Sequence, residues 1–195
     1  MNIKKESTDG GLRSLVGTRA FYKKVLLVAV PIMIQNGITN FVSLLDNIMV
    51  GQVGTEQMSG VAIANQLVFI FNLCIFGAVA GAGILGAQFY GSGNSEGVRD
   101  TFRFKLLFGV ILSAIFAVIF LTVGEPLIQQ FIHQGEGIGD LEATRSYGKA
   151  YLEVIVIGIL PFALTQCYSG TLRETGETVI PMIAGIIAVL VNLVF

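Results

Sequence analysis

Apolar residues in this chain fall in long runs, neither alternating as in strands nor confined to the narrow stripes of soluble helices. A helix rises about 1.5 Å per residue, so roughly 20 apolar residues cross a 30 Å hydrocarbon core. Five segments match or approach that length: residues 25–50, 58–90, 102–124, 147–172 and 178–195. No charged residue occurs between Leu106 and Val123, Pro161 interrupts the fourth run, and the fifth is still apolar at Phe195. Punctuation separates them: a short turn over Gly51–Glu56, the run Gly91-Ser92-Gly93-Asn94, and a glycine-bearing loop from Gly135 to Asp140. The pattern predicts an all-α integral membrane protein of about five transmembrane helices over residues 25–195, behind a polar segment 1–24. The first run is much longer than the apolar stretch of about 7–15 residues in a signal peptide, so it reads as a retained helix.

Composition agrees with this picture. Charged residues make up 13% of the chain and hydrophobic ones 53%, too few charges to dress the surface of a water-soluble fold. The net charge of -1 and the lack of a basic patch give no support to nucleic acid as a partner; the expected surroundings are the lipid bilayer. Cys74 and Cys167 both lie in apolar runs and read as packing residues, and His133 has no companions for a zinc site. Gly77, Gly81, Ala82, Gly83, Gly86 and Ala87 repeat small residues at helical spacing, which predicts close helix approach along the second span.

Basic residues set the orientation. Of the 12 Lys and Arg, all but Arg145 and Lys149 fall before the first span, between the second span and the uncharged stretch that opens at Leu106, or after the fourth. By the positive-inside rule these regions are cytoplasmic, which predicts a multi-pass inner (plasma) membrane protein with a cytoplasmic N-terminus.

One carboxylate interrupts the first span. An ionised Asp at the centre of a membrane helix costs about 2.5–3.5 kcal/mol on insertion scales, so Asp46 is a functional candidate. At about 100° per residue, Gln35 and Thr39 lie within about 20° of it around the helix and Ser43 about 60° away. These four form a polar stripe that must face protein or a water-filled cavity. Asn65, Gln66 and Asn72 on the second span, Gln166 and Ser169 on the fourth and Asn192 on the fifth are further cavity-lining candidates. Amides, hydroxyls and one carboxylate suit a hard monovalent cation or a proton. No other metal is expected beyond a possible Na+ at Asp46, and no cofactor.

Pro31-Ile32-Met33-Ile34-Gln35 followed by Leu45-Asp46-Asn47-Ile48-Met49-Val50-Gly51-Gln52-Val53-Gly54 resembles the first helix of the multidrug and toxic compound extrusion (MATE) family. Val61-Ala62-Ile63-Ala64-Asn65-Gln66 and Gly86-Ala87-Gln88-Phe89-Tyr90-Gly91-Ser92-Gly93-Asn94 continue the likeness. So do Tyr151-Leu152, Gly158-Ile159-Leu160-Pro161-Phe162, Arg173-Glu174-Thr175-Gly176-Glu177-Thr178 and Pro181-Met182 with Asn192. The resemblance implies antiporters built of two six-helix lobes that export cationic amphipathic compounds in exchange for Na+ or H+. It implies that Asp46 and Asn192 bind the cation or proton in the N-terminal lobe.

Five helices amount to most of that one lobe, so the sequence reads as an N-terminal fragment whose missing partner is the C-terminal lobe. Two other functions compete with the exporter: a non-transporting remnant of a truncated carrier gene, and a flippase for lipid-linked precursors. A flippase would favour basic residues in its cavity, whereas the charge well inside the first three runs, Asp46, is acidic. An enzyme is not expected, because no nucleophile–base pair, HExxH or intramembrane Asp pair occurs.

Overall fold

The computed structural model describes residues 17–134 and 140–194. They form five helices: α1 (Arg19–Val53), α2 (Thr55–Gly91), α3 (Ser95–Gln134), α4 (Leu141–Glu174) and α5 (Val179–Val194). Among the described residues there is no strand. The first four helices outrun the apolar stretches that announce them, and for α1, α3 and α4 capping side chains lie in the polar flanks. Thr18 accepts a hydrogen bond from the Phe21 N–H at 3.3 Å and opens α1 inside the polar segment 1–24. Asn94 accepts from Gly97 at 3.0 Å at the head of α3, and Asp140 from Glu142 at 2.9 Å at the head of α4. Most of the expected Gly135–Asp140 loop, residues 135–139, lies outside the described residues, as do residues 1–16 and Phe195.

The turn expected over Gly51–Glu56 shrinks to one residue. Gly54 alone separates α1 from α2, at φ 155° and ψ 163°, a backbone state open in practice only to glycine. Four helices have the length and hydropathy to cross a membrane, and the described part of α5, at 16 residues, is apolar but shorter.

Helices α2, α3 and α4 make the body of the fold. Ala64, Leu67, Phe71 and Ile75 recur every three or four residues and bury one face of α2 against Phe120 and Ile128 of α3 and Leu152, Ile159 and Ala163 of α4. Phe71 meets Phe116 edge-on at 5.3 Å, and Phe116 meets Phe120 at 5.7 Å. By contrast, α1 buries no residue; it packs chiefly on α5 and flanks α2. Large apolar side chains such as Met33, Phe76 and Ile157 point outward, as a lipid-facing surface requires.

The small-residue repeat of α2 works differently from expectation. A Cβ at Gly77 or Gly81 would meet nothing within 4 Å. The tight helix approach is at Gly60, where a Cβ would lie 2.6 Å from the Thr144 carbonyl and 2.8 Å from the Gly148 nitrogen. Gly83 and Gly86 instead make room for the Glu174 carboxylate of α4.

Charges mark the membrane boundaries. In α3, Lys105 and Glu125 bracket about 19 uncharged residues, roughly 28 Å of helix, and Glu153 and Arg173 bracket a stretch of the same length in α4. Each matches a hydrocarbon core. Lys105, Arg173 and Glu174 therefore lie at one boundary, and Glu125, Lys149 and Glu153 at the other.

Candidate functional site

Asp46 sits seven residues before the end of α1, in a cavity of about 600 Å³ between the α1–α5 pair and the α2–α4 body. Ser43, Asp46 and Asn47 of α1 and Asn192 of α5 form one wall; Asn65 and Asn72 of α2 and Tyr151 of α4 form the other. Met49, Val50, Val61, Val68 and Phe69 complete the lining. Asp46 is its one formal charge. Among the described residues its carboxylate has no hydrogen bond or salt bridge, and both it and Asn192 remain exposed to the open cavity. On the far wall the Tyr151 hydroxyl donates to Asn65 Oδ1 at 3.2 Å, which fixes that amide, and lies within electrostatic reach of Asp46. Carboxylate, amide and hydroxyl oxygens of this kind are hard donors, suited to a small cation or proton.

The structure thus brings together Asp46, Asn192, Ser43, Asn65 and Asn72 from the sequence candidates and leaves the others elsewhere. Gln35 turns to the opposite boundary, where Arg173 Nη2 donates to its Oε1 at 2.7 Å, and Thr39 donates to the Gln35 backbone carbonyl at 3.0 Å. The stripe on α1 is therefore split between two ends of the membrane. Its members share a face but not a depth. Gln66 is exposed outside the cavity. Gln166 lines a separate recess with Arg173 and Glu174, and Ser169 lies half-buried on α4 in neither space. Among the described residues no group of three or more His, Cys, Asp or Glu could hold a metal ion.

Asn47 and Tyr151 were missed by the sequence reading. Asn47 is a turn-neighbour of Asp46 but about 100° away, outside the stripe. Tyr151 stood at the edge of an apolar run, and only the register of α4 on α2 brings its hydroxyl to Asn65.

The arrangement can be set beside known proteins. The family described as MatE is matched over residues 31–195, which includes every residue that lines the cavity. The chain belongs to the MatE family. It is 30% identical over 162 residues to the probable multidrug resistance protein NorM of Thermotoga maritima, covering 83% of this chain and 33% of that protein. It is 26% identical over 172 residues to the multidrug resistance protein PmpM of Pseudomonas aeruginosa, covering 87% of this chain and 35% of that one. A probable NorM of Oceanobacillus iheyensis is 25% identical over 172 residues, covering 88% and 37%. The chain spans about a third of the length of these curated relatives. Family and helices together make it a multi-pass membrane protein.

This MatE chain also holds a charge pair that hydropathy alone assigned to a loop. Lys105 is ten residues inside α3, its side chain has 0% exposure, and Nζ donates to the two Glu174 oxygens at 2.6 and 2.5 Å and to Thr171 Oγ1 at 3.3 Å. It is a packing charge at the membrane boundary, buried and paired within the bundle. Neutralised this way, it offers no phosphate site.

Proposed function

We propose that this chain supplies the cation-coupling lobe of a multidrug exporter, with Asp46 and Asn192 binding Na+ or H+ in the cavity they share with Ser43, Asn65 and Asn72. One observation carries the proposal: an unpaired carboxylate faces neutral oxygen donors across the seam between the α1–α5 pair and the α2–α4 body. An arriving cation neutralises Asp46 and lets the two walls approach, and its departure restores a charge that favours an open, hydrated cavity. Binding is in this way tied to shape. Each charge crossing the membrane gains about 2.3 kcal/mol per 100 mV, enough to sustain roughly a fifty-fold gradient.

The relatives' multidrug resistance names support drugs as cargo, the negative charge of the cavity favours cationic ones, and the relatives' greater length supports a second lobe as the working partner. The basic residues outside the spans support a cytoplasmic N-terminus in the plasma membrane. A flippase cargo with phosphates fits poorly beside a cavity whose one formal charge is negative.

The test is efflux of a fluorescent lipophilic cation from vesicles carrying the complete exporter, with and without Asp46→Asn. Loss of ion-driven efflux, with insertion and expression intact, is expected. Efflux at the wild-type rate in that variant overturns the assignment of Asp46, and its absence from the wild type as well overturns the exporter reading.

A further inference from the structure

Apart from the Asp46 cavity, α3 and α4 enclose a recess of about 250 Å³ where Glu125, Lys149 and Glu153 mark the membrane boundary. Charges of both signs line it, and their hydrogen-bonding capacity is only partly used. Glu125 is held by Arg145 and by Lys149, whose Nζ lies 2.8 Å away. One contact leaves the Lys149 ammonium with donors to spare, since it carries three N–H bonds. Glu153 has no hydrogen bond or salt bridge among the described residues.

A ligand that completes this set needs an anionic oxygen group for Lys149 and a cation rich in N–H bonds for Glu153. Phe120 and Leu152, both buried in the bundle, supply an apolar wall beside those charges. We propose that this recess binds the phosphoethanolamine headgroup of a bilayer lipid, phosphate on Lys149 and primary ammonium on Glu153. A phosphocholine group carries the same charges but no N–H to donate, and a phosphoglycerol group carries no cation. The apolar wall and the depth at the hydrocarbon boundary favour a lipid over a soluble zwitterion.

Native mass spectrometry of the purified chain tests this, after equilibration with equal amounts of phosphatidylethanolamine and phosphatidylcholine of matched acyl chains. Phosphatidylethanolamine is expected to be retained about tenfold over phosphatidylcholine, the worth of one hydrogen bond to a charged group. Glu153→Gln should bring the ratio near parity, Lys149→Gln should weaken retention of both lipids, and Glu96→Gln at the other end of α3 should change nothing. Parity in the wild type overturns the proposal by itself, even where a variant fails to insert. Full preference in Glu153→Gln, displacement by phosphatidylglycerol, or equal competition from free phosphoethanolamine overturns it as well.

Discussion

Replacing Glu174 with alanine strands the Lys105 ammonium in the packed end of the bundle. The lysine side chain has 0% exposure and its partner carboxylate 15%, so water cannot take over the contact. Removing one member of such a pair costs about 3–5 kcal/mol, most of it the uncompensated charge that remains. At roughly 2–4 °C per kcal/mol for a chain of this size, the unfolding midpoint should fall by about 6–20 °C. Replacing both, as Lys105→Met with Glu174→Met, should recover most of that loss, because the attraction within a buried pair is largely offset by desolvation. The chain provides its own reporter. Cys167 is fully buried and its Sγ–H donates to the Lys105 carbonyl at 3.3 Å, so a thiol-reactive dye in a Cys74→Ser background reads loosening at this spot during a thermal ramp. A Glu174→Ala midpoint within about 2 °C of the parent refutes the reasoning. A double variant as unstable as the single one does the same.

Two further predictions follow from the packing and the cavity. Gly60→Val should destabilise the α2–α4 contact by about 1–3 kcal/mol, because its side chain would enter the Thr144 and Gly148 backbone, whereas Gly77→Ala should stay near neutral in the same thermal assay. Tyr151→Phe removes the donor that fixes Asn65 and should weaken cation binding by about threefold to tenfold without changing the insertion of the chain, as measured by equilibrium ion titration.

Long apolar runs made the helices and their number legible, since the bilayer admits no other way to satisfy the backbone of such segments. Helix ends were less so, because Thr18, Asn94 and Asp140 extend helices through polar flanks that hydropathy reads as loop. Within the site, Asp46 and Asn192 were visible as costly polar groups, and the resemblance joined them. Angular position on one helix could not separate Ser43, in the cavity, from Gln35, at the far boundary with Arg173. Depth along the axis decides that. Partners distant in sequence, such as Lys105 with Glu174 and Tyr151 with Asn65, depend on helix register, which a single sequence does not state. Glycine spacing on α2 misled for a similar reason: it shows where a helix can be approached, not whether backbone or a carboxylate arrives.

Ion uptake by the purified protein bears most directly on the cavity. Counting the Na+ ions, and in parallel the protons, taken up per chain by wild type and by Asp46→Asn under identical conditions separates binding from transport. One ion or proton per wild-type chain, and none for the variant, is the predicted result. Equal uptake by both would contradict the placement of the coupling site at Asp46.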